Sequence, residues 1–220
     1  MYAGIEWVFS CVLLLITHRW WAKRPDGLRP FLFRSLLIVL ATTNLLYHFP
    51  IIFMLVHEIP REVVDTLESS GMELNRQQFY EYAFSSSMLA RWLHIVVSML
   101  MISFAYVAVL ALRYAHVTSG VARETAVRTV SWTARHILIL LFAQIGFGIM
   151  ALLTMKNSQS VMGGDVMVTA LFGGGMCLLL LQIQQWTALL SGKIDSRAVA
   201  RAVTTLIALF SCMTAVSILS

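Results

Sequence analysis

Six stretches of this chain, 3–21, 34–57, 88–112, 132–155, 163–190 and 199–219, are apolar over about the length a helix needs to cross the hydrocarbon core of a bilayer. No other feature restricts the fold as strongly. In lipid every backbone N–H and C=O must find a partner within its own segment, which leaves the helix as the form such runs can take. The expected fold is therefore all-α: a single transmembrane domain over residues 1–220, built as a six-helix bundle. Composition agrees, since 59% of residues are apolar and 12% charged, against about 25% charged in soluble domains. The first run lacks a basic segment before it and a small-residue cleavage site after it, so it reads as a retained helix and not a signal peptide.

The connections alternate in charge. The first, "HRWWAKRPDGLRPFLFR", sets Arg19, Lys23, Arg24, Arg29 and Arg34 against Asp26. The third, from Arg113 to Arg135, sets four arginines against Glu124, and the fifth sets Lys193, Arg197 and Arg201 against Asp195. The long second connection, residues 58–87, instead carries six acidic residues and two arginines. Lys and Arg in short loops mark the cytoplasmic side. Both termini and the acidic loop are then expected on the outer, periplasmic side of a bacterial inner (cytoplasmic) membrane. The net charge of +5 is read as topology, not as a nucleic-acid-binding surface. Within the acidic loop Val63, Val64 and Leu67 share a helical face, the pattern of a short helix lying along the membrane surface.

Several chemistries find no support. The chain has no Cys-x-x-Cys-His for covalent haem attachment, no phosphate-binding glycine loop followed by lysine, no His-Glu-x-x-His and no Gly-x-Ser-x-Gly. The three cysteines, Cys11, Cys177 and Cys212, sit inside apolar runs and do not make a disulfide framework. The deep carboxylates that a proton-coupled transporter relies on are missing as well.

What stands out is histidine inside apolar helices. His48 in "LLYHFPIIF" lies about 13 Å below the outer end of the second segment, and His94 in "ARWLHIVVSML" about 9 Å below the outer start of the third. Antiparallel helices bring the two to nearly the same level. Imidazoles facing each other from neighbouring helices can serve as the two axial ligands of a b-type haem. Asn44, one turn before His48, stands where it can hold the ring nitrogen not bound to iron. Pro50 bends the helix nearby, and Arg91, nearer the surface than His94, suits a haem propionate. The alternative for each histidine is a hydrogen bond to a neighbouring helix. His18 and His136 lie at similar height near the cytoplasmic interface and are candidates for a second haem, or are solvated boundary residues. His57 is expected on the opposite helix face to His48, and His116 in a loop. Met99, Met101 and Met176 are conceivable axial ligands among twelve methionines that mostly pack. Gly173, Gly174 and Gly175 allow a close helix approach, and Gln144, Gln182, Gln184 and Gln185 suit bonds between helices or a place at the inner boundary.

Two of these segments resemble a known family. "ARWLHIVVSMLMISFAYVAVLALRYA" and "LLYHFPIIF" are similar to the haem-ligating helices of the large subunit of cytochrome bd quinol oxidases, which implies ligand roles for His94 and His48. The similarity covers about fifty of the 220 residues. It departs from that family in length and in having no glutamate deep in a helix, which puts oxygen reduction in doubt. "RWLH" at a helix start is also similar to copper-resistance membrane proteins of the CopD type.

The expected function is a b-type cytochrome carrying electrons between the quinone pool and a redox partner subunit, as the membrane part of an oxidoreductase. Copper handling is the second reading and a cofactor-free accessory subunit the third. One haem b is expected, with a second haem and a quinone as further possibilities.

Overall fold

The structure is a computed structural model, and it describes residues 2–22, 27–45, 54, 59–70, 75–154, 160–192 and 194–219. Among these residues the chain is helical, with no strand. It divides into two compact units, Met1–Trp92 and Leu93–Ser220.

The first unit holds α1 (Tyr2–Ala22), α2 (Leu28–Thr43), α3 (Arg61–Ser70), α4 (Arg76–Ala83) and the first turns of α5 (Ser86–Val117). α1 and α2 form a hairpin sealed by Leu13 against Leu37 and Ala41. The Trp20 and Phe33 rings meet near its turn at 5.2 Å between centroids. The short helix expected in the acidic loop is present as α3: Val63, Val64 and Leu67 are half-buried, whereas Glu62, Asp65 and Thr66 are exposed. A second short helix follows. Asn75 caps α4 by accepting from the Gln78 backbone while the Gln78 side chain accepts from Asn75 N–H, so two otherwise orphaned donors are satisfied reciprocally.

The second unit is a four-helix arrangement of α5, α6 (Gly120–Thr154), α7 (Val166–Leu190) and α8 (Ser196–Leu219) around one core. The inward residues recur at steps of three and four. They are Val97, Met101, Ala105 and Ala108 on α5, Val130, Ala134, Ile137 and Leu141 on α6, and Val199, Ala202, Leu206 and Leu209 on α8. That spacing keeps one narrow stripe of each helix on the bundle axis. Large apolar side chains on the other faces, among them Phe142, Leu153, Leu180 and Ile207, stay exposed. A helix apolar both toward its neighbours and away from them is solvated by lipid. Four helices, Ser86–Val117, Gly120–Thr154, Val166–Leu190 and Ser196–Val216, are long and apolar enough to cross a membrane. The protein is thus a multi-pass membrane protein.

In lipid, apolar burial alone does not drive helices together, so close contact and polar bonds matter more. Of the three consecutive glycines in α7, Gly175 makes the close approach: a Cβ there would come within 2.9 Å of Met213 Sδ on α8. Gly173 and Gly174 face open space. Gln182, fully buried, donates to the Ala202 carbonyl at 2.8 Å and accepts from Trp186 Nε1 at 2.6 Å. Gln185 adds a bond to Thr205 at 3.2 Å. Gln184 is exposed on the other face. Asp165 and Asp195 start the last two helices, accepting from Val168 N–H and Ala198 N–H.

The third connection departs from its expected form. Residues 113–135 are almost wholly helical, because α5 runs on to Val117 and α6 begins at Gly120. The reversal takes only Thr118 and Ser119, followed by Gly120 at φ +60°, a backbone that favours glycine. Charge ends a lipid-facing segment, but it does not end a helix. Ala, Arg and Glu favour helix as well in water as the apolar residues do in lipid.

Candidate functional site

His94 occupies an inward position of α5, one turn before Val97 and Ser98. Its ring meets the Gln144 side chain on α6, with 2.9 Å between His94 Nε2 and Gln144 Nε2. The same amide nitrogen donates to Ser98 Oγ at 2.7 Å, and Ser98 Oγ donates to the His94 carbonyl at 2.9 Å. The protons of this trio can be assigned one by one. Ser98 spends its only proton on the carbonyl, so it accepts from Gln144. An amide N–H₂ only donates, so His94 Nε2 accepts the second Gln144 proton. The imidazole is then neutral, with its proton on Nδ1. Nδ1 is buried without a hydrogen-bond partner among the described residues, and so is Gln144 Oε1. Buried polar atoms of this kind call for an explanation.

Gly148, one turn past Gln144 on α6, packs beside that nitrogen. A Cβ at 148 would lie 3.4 Å from His94 Cε1 and 3.7 Å from Nδ1. Any side chain beyond a methyl would have to share the ground in front of the ring. The arrangement thus grips the imidazole at Nε2 and leaves Nδ1 buried beside Gly148, without a partner among the described residues.

Of the other residues singled out in the sequence, His48 lies outside the described residues, as do Pro50 and His57. Asn44 is half-buried in the first unit and donates to Ser10 Oγ on α1 at 2.8 Å, so its side chain serves the α1–α2 hairpin. Arg91 is half-buried on α5, in the first unit. His18 is exposed on α1. His136 belongs to the second unit, is half-buried and is flanked by aromatics. It stacks on Phe104 at 5.2 Å between centroids and 25° between planes, and lies 4.2 Å from the Trp132 ring. Its Nδ1 donates to the Trp132 carbonyl at 2.8 Å, which leaves Nε2 as the ring's lone pair. Met99 and Met176 are exposed and Met101 is packed in the core.

Two residues carry more than their sequence context indicated. His116 is not in a loop: it ends α5, and its Nε2 lies 2.7 Å from Ser196 Oγ at the start of α8. Gln144 is 7% exposed and joins Ile137 and Leu141 on the three-four stripe of α6, a periodicity that marks it as inward before any contact is known. Among the described residues no three His, Cys, Asp or Glu side chains gather as a metal site would require, whereas a haem iron asks for two axial ligands. Comparison with known protein families, curated proteins and solved structures returned no match to this chain.

Proposed function

We propose that the protein is a b-type cytochrome of the membrane, with His94 as one axial ligand of a haem and His48 as the other. It would carry electrons between the quinone pool and a redox partner on the outer face. The observation that carries this reading is His94 itself: a neutral imidazole in an apolar helix pair, held at Nε2 by Gln144 and unpartnered at Nδ1 among the described residues. A metal-ligating histidine donates its other ring N–H to a fixed polar neighbour, and Gln144 would fill that role with its amide oxygen turned toward the ring. When bound, haem supplies a reversible one-electron change. The chain supplies orientation of the ring through Gln144 and Ser98 and a low-dielectric surround that excludes water.

His136 supports a second, inner haem by the same criterion, since its Nδ1–H is engaged and its Nε2 is the lone pair. His18 is its partner in that proposal. The six-span topology belongs to the reading too, with both termini and residues 58–87 outside, and it rests on the alternation of loop charge. The acidic loop then suits a basic redox partner.

A reduced-minus-oxidised visible spectrum of protein purified from haem-replete cells tests the proposal, with haem measured per chain. Sharp b-type bands that disappear in His94→Ala and in His48→Ala are expected. A colourless protein overturns the reading, and copper found in its place would favour metal handling.

A further inference from the structure

A groove of about 620 Å³ runs between α5 and α8, both within the second unit. Small-molecule sites occupy about 300–1,000 Å³. Ala105 and Leu206 make its buried floor, and Tyr106 and Ile207 are exposed on its walls. The lining is apolar apart from the hydroxyls of Tyr106, Ser211 and Thr214, and Ser211 spends its proton on the Ile207 carbonyl at 3.0 Å. No charged side chain among the described residues lines it. The lining positions fall in the apolar stretches of two helices able to cross a membrane, so the groove opens to hydrocarbon and not to water.

One end of the groove leads to charge. Ile102, Tyr106 and Val109 on α5 are followed, at the same steps of three and four, by Arg113 and His116. One helical face therefore passes from the groove to an arginine. The His116–Ser196 contact at 2.7 Å ties α5 to the start of α8 at that end. Arg113 is exposed and makes no ion pair among the described residues. The two carboxylates of this end are already engaged, Glu124 with Arg128 at 2.7 Å and Asp195 with the Ala198 N–H at 2.6 Å. Side chains on a helix lean toward its N-terminus, which for Arg113 is toward the groove.

We infer that this groove is a binding site for an anionic phospholipid, with an acyl chain along Val109, Tyr106 and Ile102 and the phosphate at Arg113. A guanidinium presents paired N–H donors that match phosphate oxygens, and basic recesses beside membrane helices take anionic headgroups. A zwitterionic lipid offers the same chains, but its cation offsets the phosphate, so the arginine sets a preference for net negative charge. Nothing in the site calls for haem.

Native mass spectrometry of the full-length protein in mild detergent, which counts the lipids retained per chain, tests the site. Phosphatidylglycerol and phosphatidylcholine with identical acyl chains are the probes. One phosphatidylglycerol should be kept in preference to phosphatidylcholine. Arg113→Gln should cut that preference about fivefold, the effect of one arginine beside a headgroup, and Arg113→Lys should retain most of it. Arg123→Gln, which changes an exposed arginine near the start of α6, should leave it unchanged. Val109→Trp fills the groove and should lower retention of both lipids, with circular dichroism showing that each variant stays helical. Equal retention of the two lipids overturns the inference, and so does an unchanged preference in Arg113→Gln. An equal loss in the Arg113 and Arg123 variants would mark a diffuse basic surface and overturn it as well. A dimer that Val109→Trp dissociates would overturn it in favour of a second copy filling the groove.

Discussion

Gly148 packs beside the buried, unpartnered Nδ1 of His94, and single substitutions there test the proposed haem contact apart from stability. A methyl at 148 would rest at ordinary contact distance from the imidazole, so Gly148→Ala should preserve both fold and haem content. Gly148→Leu puts three further carbons in front of Nδ1. If His94 holds a haem as proposed, it should reduce haem per chain at least tenfold while circular dichroism remains helical, as measured on the detergent-purified protein. Equal haem in the leucine variant would show that the Nδ1 side of the ring takes no part in holding the proposed cofactor. His94 drew notice in the sequence because an ionisable ring inside an apolar helix is costly unless it has a task. Gln144 was legible only as a helix-bonding residue, because its partner lies fifty positions away and only the folded pair brings them together.

At the scale of elements, Gln182, which bonds across to α8 and also accepts from Trp186 within α7, offers a clear test of which bonds matter. An interhelical hydrogen bond in a membrane protein contributes on average only about 0.6 kcal/mol, but a buried donor left without an acceptor costs about 1–3 kcal/mol. Gln182→Leu removes the acceptor of the fully buried Trp186 N–H and should destabilise by the larger amount. Adding Trp186→Phe removes the stranded donor, so the double variant should be less destabilised than the two single losses added together. Unfolding midpoints in mixed micelles would measure both. Equal additivity would mean that the Gln182–Trp186 bond is energetically silent. Helix positions in this unit were readable from apolar runs, since lipid imposes them. Their ends were not, because residues 113–135 continue as helix after the apolar signal stops. For the same reason His116 was placed in a loop, when it closes α5 against Ser196.

At the scale of the molecule, the four long apolar helices establish a multi-pass membrane protein, and the loop charges supply the proposed orientation. Single cysteines at Ser70 and Ser119, introduced after replacement of Cys11, Cys177 and Cys212, test it with a membrane-impermeant thiol reagent. Ser70→Cys should label in intact cells and Ser119→Cys only after the membrane is opened. The reverse pattern would invert the topology, and labelling of both from one side would contradict the span count between them. The all-helical character was dictated by the sequence at the coarsest level. The proposed axial pair, by contrast, depends on His48, which lies outside the described residues, and so rests on the spacing of two apolar segments and on the His94 surroundings.

The two-residue reversal at Thr118–Ser119 also bears on how the chain is made. Residues 86–154, 69 of the 220, emerge as two helices of 32 and 35 residues joined almost without slack. Closing so short a loop carries little entropic cost, and contacts between α5 and α6 are among the most local that two long helices can make. The pair can therefore zip from its tip as it leaves the ribosome, with His94 and Gln144 meeting last, near the far end. Assembly of the imidazole grip then reports completion of a correctly registered hairpin.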